Sequence, residues 1–144
     1  MKLGHGVLAL GIIGLLAGCN TLTTPPAIMD ATITPAQLGP GDTAVIAVKV
    51  NDKHDLIGSI DGVIREYPGD LFRLHDDGTD PDETANDGIW SMRVDVPFQA
   101  PPGEFTLDFT AYRADGRPLE VAESPGDAVP LQATVKYSIQ YDKQ

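Results

Sequence analysis

The chain has 144 residues, enough for one domain of ordinary size. Its 21 acidic residues against ten basic ones give a formal net charge of −11. An excess of this sign repels nucleic acid and anionic lipid headgroups, so it excludes functions built on a basic surface, with nucleic-acid binding first among them.

The N-terminus does not read as part of a folded domain. Lys2 is followed by an uncharged apolar run, Val7 to Ala17, VLALGIIGLLA. A helix needs roughly 20 apolar residues to cross a bilayer, so this run is too short to span one. It has the length and flanks of a secretory signal. It ends in Leu16-Ala17-Gly18-Cys19, which resembles the lipobox of bacterial lipoproteins. The resemblance implies that residues 1–18 are a signal peptide cut off before Cys19. It also implies that the Cys19 thiol carries diacylglycerol and that the new amino group is acylated in turn. Cys19 is the only cysteine, so the chain has no disulfide to form, and lipidation accounts for the odd thiol. Several acyl chains hold a protein stably on a membrane where one does not. In Gram-negative lipoproteins an Asp after the cysteine marks retention at the inner membrane. Asn20 stands there, so the resemblance favours the outer membrane in an organism that has one. Cleavage removes one basic residue of the ten and none of the 21 acids, which takes the mature charge to −12.

Residues 19–27 read as the lipidated cysteine and a polar tether, NTLTTPPA after Cys19, with no periodicity. Eight extended residues reach at most about 26–29 Å, so the domain stays close to its membrane. The domain itself is expected over 28–144, and its signals are those of strands. Met29 to Thr34 is the first, ended by Pro35. After the Pro40-Gly41-Asp42 turn comes Thr43 to Asn51, with Ala44, Ile46, Val48 and Val50 on one face. Ile57 to Tyr67 reads as a third strand with a bulge or bend at Gly62. Pro68-Gly69-Asp70 punctuates, and Leu71 to Leu74 is a short fourth strand. Ile89 to Val96 alternates, with Trp90, Met92, Val94 and Val96 opposed to Ser91, Arg93 and Asp95. Phe105, Leu107, Phe109 and Ala111 alternate before a turn at Ala114 to Arg117. Leu131 to Tyr141 is the last strand.

Some seven or eight short strands between Gly, Pro and Asp turns predict an all-β sandwich. The stretches PGDTAVIAVKV and PPGEFTLDFTAYRADGRPL resemble bacterial immunoglobulin-like domains. The resemblance implies an immunoglobulin-like sandwich of about seven strands. The chain departs from antibody domains in having no cysteine pair, and Phe105 has no hydroxyl with which to build a tyrosine corner. A barrel of similar strand count satisfies the same pattern.

Between the fourth and fifth strands lies LHDDGTDPDETANDGIW, Leu74 to Trp90, with six acids and no base between Asp76 and Asp87. Asp76-Asp77-Gly78, then Asp87-Gly88-Ile89-Trp90-Ser91, resembles a motif of bacterial extracellular immunoglobulin-like domains: Asp-Asp-Gly, a polar loop, Asp-Gly, an aromatic, then serine. Two readings of these acids stand side by side. Calcium takes six to eight hard oxygens, and Asp76, Asp77, Asp80, Asp82 and Asp87 with loop carbonyls would supply them. An EF-hand is excluded by register, because Pro81 or Ala85 falls where the loop needs Gly. Alternatively the acids are turn residues that bond their own backbone, with Gly supplying positive φ.

Other chemistry is thinner. His54 and His75 each precede an Asp, but no zinc-ligand spacing accompanies them and both read as turn residues. Ser59 lies in no nucleophile elbow. The sequence thus reads as a membrane-anchored module that binds or scaffolds another envelope protein or a cell-wall polymer, and no catalytic motif is found. A small hydrolase using carboxylates and a purely structural envelope protein are the competing classes.

Overall fold

A computed structural model describes residues 24–142. The signal peptide, Cys19 and the tether up to Thr23 lie outside the described residues. Among the described residues ten strands form: β1 (Ala27–Thr34), β2 (Gln37–Leu38), β3 (Thr43–Asn51), β4 (Ser59–Ile64), β5 (Tyr67–Leu74), β6 (Ile89–Asp95), β7 (Gly103–Tyr112), β8 (Glu120–Ser124), β9 (Asp127–Pro130) and β10 (Gln132–Ile139). The first strand opens at Ala27.

Two sheets face one another, ordered β1-β3-β6 and β2-β10-β7-β4-β5. The fold is an all-β sandwich. The chain crosses from the first sheet to the second at Pro35-Ala36. Proline has no N–H to give a ladder, so the strand breaks there. Its continuation, β2, runs parallel to β10.

The alternating faces behave as their period requires. Ala44, Ile46 and Val48 of β3 are buried, as are Phe105, Leu107, Phe109 and Ala111 of β7, together with Ile60, Leu74 and Ile139. They pack as one core between the sheets. Each fully buried Leu, Ile or Phe contributes about 1.5–3 kcal/mol by leaving water. Among the described residues no segment is helical.

Four expectations differ from what forms. Gly62 carries no bulge; the register shifts instead between Val63 and Ile64. A Cβ at Gly62 would meet the Phe109 ring at 3.1 Å, so the glycine serves close packing. Pro68-Gly69-Asp70 does not interrupt a strand but lies inside β5. That is allowed because β5 is the edge of its sheet, where a missing N–H costs no ladder bond. The segment after the Ala114–Arg117 turn adds a small hairpin, β8 with β9, outside both main sheets. Finally, the alternation sets Ser91 opposite the apolar face of its strand, with Arg93 and Asp95, yet Ser91 is buried.

The two ends of the sandwich differ. At one pole Ala27 pairs with Asn51, and the Val50 amide donates to the Gly88 carbonyl at 2.8 Å. The chain enters here, beside the acidic loop. At the other pole lie the turn before Thr43, the end of β6 at Asp95, and the 96–102 connection. The nine residues of β3 separate the poles by about 30 Å.

Candidate functional site

The acidic loop, 75–88, carries the chain straight from β5 to β6. Its first residue is still paired: the His75 and Ser91 backbones exchange bonds of 3.0 and 2.8 Å. Beyond that point the carboxylates bond the loop's own amides. Asp76 accepts from the amides of Asp87 at 3.2 Å and Gly88 at 3.1 Å. Asp82 is buried and accepts from the Gly78 amide at 2.7 Å and the Thr84 amide at 3.4 Å. Asp87 accepts from the Ile89 amide at 2.9 Å. Asp77 takes both the amide and the hydroxyl of Thr79. The Asp77, Asp82 and Asp87 bonds to the amides two residues on are Asx-type bonds, the means by which Asp stabilises turns, whereas Asp76 ties the two ends of the loop together. Gly88 has φ 84°, and a Cβ there would sit 2.9 Å from the Val50 carbonyl oxygen, so only glycine fits the junction with β3.

Of the five acids considered as calcium ligands, the structure brings three together. Oxygens of Asp76, Asp82 and Asp87 lie within 4.8 Å of one another. Asp77 and Asp80 do not join them. Asp80 forms a forked pair with Arg93 at 2.9–3.1 Å. Arg93 and Ser91 share one face of β6, so the loop lies across that face. This explains the burial of Ser91, whose Oγ has no hydrogen-bond partner. Burial, with the charges of Asp82 and Asp87 adding to it, raises the Asp76 carboxyl above its ordinary range. The Gly88 and Asp87 amides oppose that rise.

Beside the cluster a depression of about 530 Å³ is lined by Asp52, Lys53, Asp55, Asp76, Asp87 and Trp90, among others. Asp52 is already engaged, accepting from the Leu56 and Ile57 amides at 3.0 and 2.8 Å. His54 is an exposed residue of the same turn, and His75 is exposed beside its bridge, so neither histidine joins a ligand group. Ser59 begins β4 and lies in no such group.

A second feature gave no signal in the sequence. Toward the opposite pole the two sheets part between β5 and β6, leaving an apolar cleft of about 560 Å³. Its walls include Leu71, Phe72, Met92, Val94, Phe105 and Tyr137. The cleft exists because the chain goes from β5 to β6 with no intervening strand, where a constant-type immunoglobulin sandwich has one beside β6. Phe105 stacks on Tyr137 with centroids 5.5 Å apart, and Tyr67 tilts against Phe105 at 6.1 Å. Burial, helped by the Glu66 carboxylate, pushes the Tyr137 hydroxyl up to about 12. The polar residues lining the cleft include Asp70 and Asp95.

No family model matches the chain, and no curated protein matches it either. Among solved structures it is similar to Pseudomonas fluorescens alkylpurine DNA glycosylase AlkC, bound to DNA containing an abasic site analog. The identity is 12%, the TM-score 0.47, and the match covers 81% of this chain and 30% of that one. The chain thus spans under a third of the length of that enzyme, and a similarity this low bears on neither activity nor ligand.

Proposed function

We propose that the chain is an envelope lipoprotein, anchored through acylated Cys19, whose sandwich is a binding or scaffolding module held against its membrane. The observation that carries this reading is the apolar run ending in Leu16-Ala17-Gly18-Cys19, with Cys19 the single thiol of the chain. Ala27 opens β1 at the acidic pole. The eight residues from Cys19 to Ala27 reach at most about 26–29 Å. That pole is therefore the one turned to the bilayer, and the cleft is turned away from it. A mature charge of −12 adds no attraction to anionic headgroups, so the lipid alone supplies the membrane contact. The outer membrane is favoured by Asn20 in a Gram-negative organism.

Binding is favoured over hydrolysis because Asp76, Asp82 and Asp87 accept hydrogen bonds from loop amides. A hydrolase needs carboxylates open to a substrate. The same bonds favour the turn reading of the loop over calcium. The partner is another envelope protein or a cell-wall polymer.

Metabolic labelling with a fatty-acid analogue tests the anchor. The wild-type chain is expected to take up label, and Cys19→Ala to take up none. Equal labelling of the two would overturn the reading.

A further inference from the structure

The cleft between β5 and β6 has the features of an unfilled strand position. Its walls are two sheet edges. The backbone of His75 turns toward Ser91 and away from β4. By the two-residue period of a strand, the N–H and C=O groups of Arg73 and Leu71 turn the same way. On the facing wall those of Arg93 and Asp95 turn outward from β3, as Ser91 does. Among the described residues no backbone partner meets these outward groups. Between the two edges lie half-buried apolar side chains, Phe72, Met92 and Val94, and the exposed Leu71. Unpaired edges above an apolar floor invite strand addition, in which main-chain bonds give affinity and alternate side chains fill the floor.

We propose that this cleft takes up an extended segment of a partner protein, with apolar residues at alternate positions and a basic residue at one end. The basic end follows from charge. Asp70 and Asp95 both line the end of the cleft away from the His75–Ser91 bridge, and among the described residues no cationic side chain is bonded to either, on a domain whose net charge is strongly negative. A second copy of this chain carries the same charge and is repelled. An acyl chain has no groups to pair with the edges. The chain's own N-terminal segment enters at the opposite pole, beside Asn51. The proposal rests on the reading of the domain as a binding module but not on the lipid anchor.

The experiment is hydrogen exchange on the purified full-length chain. The probe is a synthetic seven-residue peptide that alternates valine and threonine between terminal lysines. Its control has aspartates at both ends. Fatty-acid labelling of Cys19 on the same preparation reads the anchor separately. The lysine peptide is expected to slow exchange at the Arg93 and Asp95 amides, or at Leu71 and Arg73, and to bind at least tenfold more tightly than its control. Leu71 is 59% exposed, so Leu71→Lys is expected to leave the melting curve intact while weakening the lysine peptide at least tenfold. Protection confined to other edges would overturn the proposal, as would equal binding of the two peptides or no binding at millimolar peptide. Protection that grows with protein concentration and needs no peptide would assign the cleft to a second copy and overturn it too.

Discussion

The two poles of the sandwich are closed by different means. At the acidic pole a long loop is sealed by hydrogen bonds: Asp76, Asp82 and Asp87 bond four loop amides and the first amide of β6, and Gly88 lets the backbone meet β3. At the other pole the missing strand leaves apolar side chains without cover, with Asp70 and Asp95 beside them. The difference teaches where order and where binding capacity reside. A self-bonded loop has used its hydrogen-bonding groups, whereas an open pair of edges has kept them.

The largest expected effect separates two leucines of one strand. Leu74 is 1% exposed, where β5 closes on β6, and Leu71 is 59% exposed at the open cleft. Leu74→Ala leaves a cavity in the core and is expected to cost about 2–5 kcal/mol. Leu71→Ala is expected to stay within about 0.5 kcal/mol. Chemical denaturation of both variants checks this, and equal losses would mean that the cleft is packed rather than open.

Next in size is an opposition in pH dependence. The Arg65 guanidinium, bonded at 2.7–2.8 Å, and the Thr134 hydroxyl hold the Asp108 carboxyl below the ordinary carboxylate range. A depressed folded pKa contributes stability above the unfolded pKa and loses it as pH falls through the folded value. Asp76 has the opposite sign, since burial raises it. Its charged form weighs against the fold above the raised value, and that penalty is relieved as pH falls through it. Denaturation from pH 7 down to pH 3 should show Asp108→Asn less stable than wild type at neutral pH and converging with it in acid. Asp76→Asn should differ from wild type in the opposite sense with pH. Parallel curves for the two variants would contradict the cited causes.

The smallest expected effect is a difference near zero. If the loop is a self-bonded turn, calcium and magnesium at fixed ionic strength raise the melting temperature equally, by screening. A calcium site would stabilise by about 2.7 kcal/mol at a hundredfold excess over Kd, several degrees beyond magnesium. A selective shift abolished by Asp76→Asn with Asp82→Asn would convert the loop into a calcium site.

Much of this architecture was legible in the chain itself. Thr43 to Asn51 and Phe105 to Ala111 carry the period of a half-buried strand, and their buried faces are those the alternation picks out. Asp-Gly pairs marked the acidic loop as a turn, and Gly78 and Gly88 do take positive φ. What stayed hidden has physical reasons. The β8–β9 hairpin is mostly exposed, so its residues carry little apolar alternation. Pro68 and Gly69 signal a break, and only the sheet order reveals an edge where they are tolerated. The choice of three acids from five depends on Arg93, thirteen residues away, which draws Asp80 aside. The cleft arises from a strand that is absent, and a sequence pattern marks only the strands that are present.

The central claim is that the acidic pole faces the membrane and the cleft faces away. Energy transfer to an acceptor in the headgroup layer tests it directly. The full-length chain carries one fluorophore, at Lys53→Cys beside the acidic pole or at Phe98→Cys at the other; on the proposed anchor, the Cys19 thiol is acylated and takes no fluorophore. Both positions are exposed and lie near opposite ends of β3. The account predicts strong transfer from position 53 and much weaker transfer from position 98. Equal transfer from both, or stronger transfer from position 98, would contradict it.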